Sequence, residues 1–120
     1  MGKSMKFNRD MPIYLQLYDF FRCQILSGKL HPGTRFPSIR KIANEAQVNS
    51  HTVQHAMAFL KRDDLLEKRK GKGYSVTDDT EKIRRQRQLS AENAVKSFLY
   101  EMEVLGFSKE QIMSAVIYML

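Results

Sequence analysis

PGTRFPSIRKIANEAQVNSHTVQHAMAFLKRDDLLEKRKGKGYSV, residues 32–76, carries two short helical periodicities in close succession and then a basic run punctuated by glycine. Pro37 disfavours helix before it and Ser38 can accept a backbone N–H, so a helix is predicted to begin at Ser38. Ile39, Ile42, Ala43 and Ala46 form its apolar face. Gln47-Val48 makes a turn, and Asn49 caps a further helix over about Ser50–Arg62. Val53, Ala56, Met57 and Leu60 lie at helical spacing, which leaves Ser50, His51, Gln54 and His55 on the opposite face. Leu65–Arg69 and Tyr74–Val76 read as two strands joined by Lys70-Gly71-Lys72-Gly73. Two helices across a tight turn, followed by a hairpin, make a helix-turn-helix with a wing. That order holds one helix where it can enter a DNA major groove.

Upstream, Pro12 suits a first helical turn, and Ile13, Leu17, Phe20, Phe21 and Ile25 continue a helical stripe to about Ser27. Tyr14 and Tyr18 form a second pair at i,i+4, read as core. Cys23, the single cysteine, falls in this helix and is expected to be a reduced, buried thiol. Gly28 is suited to end the helix, and Gly33 to occupy a left-handed corner of a tight turn.

Beyond Val76 the character changes. Asp78-Asp79-Thr80-Glu81 opens a long helix with acidic side chains at its positive end. Val95, Phe98, Leu99, Met102 and Leu105 hold its stripe until Gly106. Ser108 and Gln111 have capping-box spacing for a last helix, with Phe107 stapled on Ile112. That helix, carrying Ile112, Val116, Ile117 and Leu120, is apolar almost all round and must be covered. The fold class is therefore mainly α with a small β-wing: a winged helix-turn-helix domain over residues 8–77, followed by a short two-helix dimerisation appendage over residues 78–120. Val95, Phe98, Leu99, Met102, Ile112, Val116, Ile117 and Leu120 are the expected dimerisation residues.

Charge agrees with this division. Residues 1–77 carry 14 Lys/Arg against 6 Asp/Glu, a net of +8. Residues 78–120 carry 6 against 7, a net of −1. A positive field confined to the predicted reader is the footprint of a nucleic-acid binder. No apolar leader is read in Met1–Asp10, and the run near Ile112–Leu120 is too short to cross a bilayer, so a cytoplasmic, nucleoid-associated protein without membrane partners is expected.

No enzyme is expected. His51 and His55 have the i,i+4 spacing of a zinc pair, but HTVQH holds no glutamate and no third ligand is evident. No metal or cofactor is anticipated. The expected partners are a double-stranded DNA operator and a second copy of the chain, and nothing in the sequence identifies a small-molecule effector. Arg35, Ser38, Arg40 and Lys41 are expected to grip phosphates around a helix N-terminus. Asn49, Ser50, His51, Thr52, Gln54 and His55 are expected on the groove-facing helix, where amides can pair bidentately with adenine. Lys70, Gly71, Lys72 and Gly73 form the wing contact. A non-specific architectural DNA- or RNA-binding protein using the same basic face is the alternative, and the uncharged polar helix face speaks against it.

The spaced residues Pro12-Ile13-Tyr14, Ile25-Leu26-Ser27-Gly28-Lys29-Leu30, Pro32-Gly33, Phe36-Pro37-Ser38-Ile39-Arg40, Val48, Thr52-Val53, Ala56, Leu60 and Gly71-Lys72-Gly73 together resemble the GntR family of bacterial transcription regulators. The resemblance covers about residues 10–77. It implies a winged helix-turn-helix that binds inverted repeats as a dimer. The short tail looks like that of the YtrA subfamily, where it serves dimerisation and members usually repress transporter genes. The chain departs from the family pattern in having Ser50 where arginine is frequent, no Lys or Arg near Gln54 where a basic residue is common, Lys41 where glutamate usually follows the arginine, and Asp64 where glycine commonly precedes the first wing strand. The departures in the contact helix imply an altered operator, richer in A·T.

Overall fold

A computed structural model describes residues 6–120. In chain order, α1 covers Ile13–Leu26, α2 Ile39–Ala46, α3 Ser50–Arg62, β1 Leu66–Arg69, β2 Gly73–Val76, α4 Thr80–Val104 and α5 Lys109–Met119. The mainly helical class with a two-stranded wing is as expected. The chain divides into two compact units, Met1–Gln86 and Arg87–Leu120, and the division falls within α4.

The first unit is built on α3. Val53, Ala56, Met57 and Leu60 are fully buried, and α1 and α2 both pack on that face. Leu17, Phe21 and Ile25 of α1 and Ile42 and Ala43 of α2 meet them, with Leu65, Leu66 and Val76 from the root of the wing. Each large side chain buried here contributes about 1.5–3 kcal/mol. The stripe on α1 explains one correction. Cys23 is exposed, not buried. It lies two residues from both Phe21 and Ile25, about 200° around the helix from each, so the stripe that buries them turns Cys23 outward. Ile13, at the open end of the helix, is also exposed.

The turn between α2 and α3 is set by backbone geometry. Ser38 caps α2, its Oγ accepting the Lys41 N–H at 3.1 Å. At the other end Val48 N–H reaches the Ala43 carbonyl at 3.0 Å and Gln47 N–H reaches Asn44 at 3.3 Å. This paired closure is a Schellman motif, and it places Gln47 at φ 55°, a position that favours glycine. Val48 then packs on the core and Asn49 caps α3 by accepting the His51 N–H at 2.8 Å. The end of α3 repeats the device: Leu65 N–H bonds to Leu60 and Asp64 N–H to Lys61, both at 3.0 Å, with Asp64 at φ 61°.

β1 and β2 pair antiparallel, Leu66 opposite Val76 and Arg69 opposite Gly73. A feature missed in the sequence lies on the other side of β2. The segment Gly33–Phe36 runs along it, with Phe36 N–H to the Tyr74 carbonyl and Val76 N–H to Thr34 at 2.8 Å, and Gly33 N–H to Val76 at 3.0 Å. The hairpin is thereby stitched to the loop that leads into α2, and Pro37, lacking an N–H, ends the pairing. Thr77, fully buried, donates to Glu67 at 2.8 Å and accepts the Asp79 N–H at 3.1 Å, joining the wing to the start of α4.

In the second unit the expected capping box is present: Ser108 accepts from Gln111 N–H at 3.2 Å and Gln111 Oε1 accepts from Ser108 N–H at 2.8 Å. α4 and α5 do not pack closely along their length. Apart from Met11 and Ile13, every exposed large apolar side chain among the described residues lies between Leu89 and Leu120. Val95, Phe98, Leu99, Val116, Ile117 and Leu120 of the expected dimerisation set are among them, and Met102 is half-buried. Ile112, also of that set, is 5% exposed within the single chain.

Candidate nucleic-acid interface

The start of α2 and the tip of the wing share one cleft of about 490 Å³. Arg35, Ser38, Gly71, Lys72 and Gly73 line it together with Lys68 and Tyr74. Lys68 was not expected here, and its Nζ lies 5.5 Å from the centre of the Tyr74 ring. Register explains its place: Lys68 pairs opposite Tyr74, on the same face of the ribbon. Gly71 and Gly73 hold φ 74° and 72°, so the tip turns tightly without a side chain to block close approach.

Arg35 has a double role. Its Nε donates to the Lys72 carbonyl at 3.0 Å, tying the loop before α2 to the wing tip. The rest of its guanidinium has no protein partner among the described residues and is free for an anion. Ser38 is likewise divided. Its oxygen accepts within the cap, while its hydroxyl proton is available to a phosphate.

The cations sort into two groups. Arg69 is held by Asp78 at 3.0 Å, Lys82 by Asp64 at 3.9 Å, and Arg84 by Glu81 at 2.9 Å. The Arg84 guanidinium holds the Glu81 carboxyl below its usual range. Arg40, Lys41, Lys70 and Lys72 are exposed and carry no ion pair among the described residues. Charges left unneutralised beside a helix N-terminus suit a polyanion that releases its own counterions on binding.

On α3, Ser50, His51, Gln54 and His55 are exposed and Thr52 is half-buried. Two of the expected readers are occupied by the fold. Asn49 uses its Oδ1 in the cap of α3, accepting the His51 N–H, while its amide N–H groups remain as donors. His55 is stacked on Tyr14, ring centres 3.8 Å apart and planes 14° from parallel. It also meets the Phe59 ring edge-on at 5.1 Å, and Phe59 contacts Tyr14 and Tyr18. Tyr18 donates to Asp63 at the end of α3, and burial, then this bond, push its hydroxyl up to about 12. One face of His55 is thus committed to anchoring α3 on α1. His51, Thr52 and His55 border a shallow hollow completed by Ile13 and Tyr14. Helical spacing assigns both α1 residues to apolar stripes, Ile13 with Leu17 and Tyr14 with Tyr18, and holds no sign of the hollow. Among the described residues no group of three or more His, Cys, Asp or Glu could hold a metal, and no helix is long and apolar enough to cross a membrane.

Residues 13–76 match the model of the family described as bacterial regulatory proteins, gntR family. The chain is 27% identical over 111 residues to YhcF, an HTH-type transcriptional regulator of Bacillus subtilis, covering 92% of each. It is 31% identical over 68 residues to the HTH-type transcriptional repressor YtrA of the same organism, with 57% of this chain and 52% of that protein covered. Among solved structures, a GntR family transcriptional regulator from Listeria monocytogenes superposes with a TM-score of 0.88 at 29% identity, covering 93% of this chain and 98% of that one. The family model spans the interval from the start of α1 to the end of β2, the same interval that presents the free cations and the polar face of α3. The chain belongs to the GntR family of bacterial regulatory proteins, winged-helix DNA-binding transcription regulators.

Proposed function

We propose that this chain is a sequence-specific repressor that binds an inverted-repeat operator as a homodimer in the cytoplasm. Residues 8–77 read one half-site, and residues 78–120 pair two readers. The observation that carries the reading is the division of surface chemistry. Unpaired cations, Arg40, Lys41, Lys70 and Lys72, accompany an uncharged polar helix face, whereas the uncovered apolar side chains lie in the tail. Phosphate contacts position a reader and polar side chains distinguish bases. Uncovered apolar faces on α4 and α5 call for another chain, and a second copy supplies the same surface by two-fold symmetry. The repressor YtrA, a relative over half its length, supports the sense of regulation.

The test is selection of the full chain against a random duplex library, with light scattering on the free protein. The expected result is enrichment of one inverted repeat and a mass of two chains. Arg40→Ala is expected to abolish recovery of that repeat with unchanged circular dichroism. Binding with a steep salt dependence and no enriched sequence would instead support the architectural reading.

A further inference from the structure

A second cleft shares Arg35, Phe36 and Pro37 with the one at the wing. Its volume is about 640 Å³, within the range of small-molecule sites. Phe20, Phe21 and Phe36 supply its aromatic walls, with ring centres 5.3 Å apart from Phe20 to Phe21 and from Phe21 to Phe36. Gln24 offers a neutral amide, and Lys29 and Arg35 are its only charged lining residues among those described. Neither cation is in an ion pair among the described residues. Aromatic walls with two cations and no acid favour a ligand that is apolar and flat at one end and anionic at the other.

We infer that this cleft is a regulatory site for an aryl carboxylate, and that Arg35 couples it to the DNA-binding face. Arg35 lines both this cleft and the one formed by α2 and the wing, and its Nε holds the Lys72 carbonyl at the wing tip. A carboxylate seated on the free edge of that guanidinium neutralises a charge that otherwise faces phosphate. Binding of the ligand and of DNA then oppose each other by the same factor in both directions. The coupling rests on the DNA-binding reading; the ligand site does not.

The probe is 2-naphthoate, with 2-naphthalenemethanol as a neutral control and 2-naphthylmethylammonium as a cationic one. Each is titrated into the full chain and followed by amide chemical shifts without DNA. The expected result is saturable binding of the carboxylate alone, with shifts centred on Phe20–Gln24 and Lys29–Pro37. Lys29→Gln, an exposed and conservative change, is expected to weaken it about tenfold, the effect of losing one charge-assisted bond. Equal binding of the neutral probe, shifts centred elsewhere, or an unchanged affinity in Lys29→Gln overturns the site. Saturating naphthoate is further expected to weaken binding to the selected duplex about tenfold and to lower the salt dependence by about one phosphate contact. If naphthoate binds the cleft and duplex affinity does not move, the coupling through Arg35 is overturned. Failure of duplex selection leaves the binding result in the cleft readable by itself.

Discussion

Replacing Gln47 by glycine is expected to stabilise the reader. Gln47 sits at φ 55° in the Schellman closure between α2 and α3, is exposed, and makes no side-chain hydrogen bond among the described residues. A left-handed conformation costs an ordinary L-residue roughly 1–2 kcal/mol. Glycine avoids that cost, and its greater freedom in the unfolded chain returns roughly 0.5–1 kcal/mol. The difference leaves Gln47→Gly more stable by about 0.5–1 kcal/mol, or about 2–8 °C in Tm for a unit of this size. Urea denaturation followed by circular dichroism, at fixed chain concentration because association adds to apparent stability, is expected to raise the midpoint with unchanged slope. Gln47→Ala keeps the Cβ and is the control, expected within about 0.5 kcal/mol of the parent. Asp64, at φ 61° in the matching closure after α3, is the internal comparison. Aspartate tolerates this conformation better, and Asp64→Gly also loses the exposed 3.9 Å pair with Lys82, itself worth about 0–1 kcal/mol. Its net change is expected near zero. If Gln47→Gly is no more stable than Gln47→Ala, the argument from the turn is wrong.

Three further outcomes can be measured, two by the same denaturation and one by titration. At Gly33, φ 81°, a Cβ would lie 2.7 Å from Asp78 Oδ1, so Gly33→Ala is expected to cost about 1–3 kcal/mol in urea denaturation by combining backbone strain with displacement of the Arg69 partner. Asn49→Ala removes the acceptor that caps α3 and is expected to cost about 1 kcal/mol in the same assay; an unchanged midpoint would show the cap to be dispensable. Tyr18, pushed up from about 10 to about 12 in the folded chain, contributes stability that is complete below about pH 10 and is lost as pH rises through about 12. Ultraviolet titration is expected to show one late-ionising tyrosinate that disappears in Tyr18→Phe, and loss of an early-ionising one instead would refute the assignment.

Local chemistry made most of the first unit legible. Ser38, Asn49 and Ser108 were readable as caps because a short polar side chain before an apolar period has one favourable use. Val53, Ala56, Met57 and Leu60 were readable as core because helical spacing puts them on one face. Cys23 was misread through composition, although its phase against Phe21 and Ile25 held the correct answer. The pairing of Gly33–Phe36 along β2 left no comparable trace, because a few residues joined by three backbone hydrogen bonds need no side-chain alternation.

The sequence alone determined the order of elements, the faces of α2 and α3 that turn inward, the family and the segregation of positive charge, all of which depend on neighbours within a few residues. Only the tertiary structure decided how side chains divide their work. It bound Arg35 to the wing, stacked His55 on Tyr14, set Lys68 beside the α2 cleft, turned Ile112 inward and left much of the tail uncovered. Each outcome depends on which surfaces meet across long separations in the chain. Periodicity can mark an apolar face, but contact with another face determines whether it is covered.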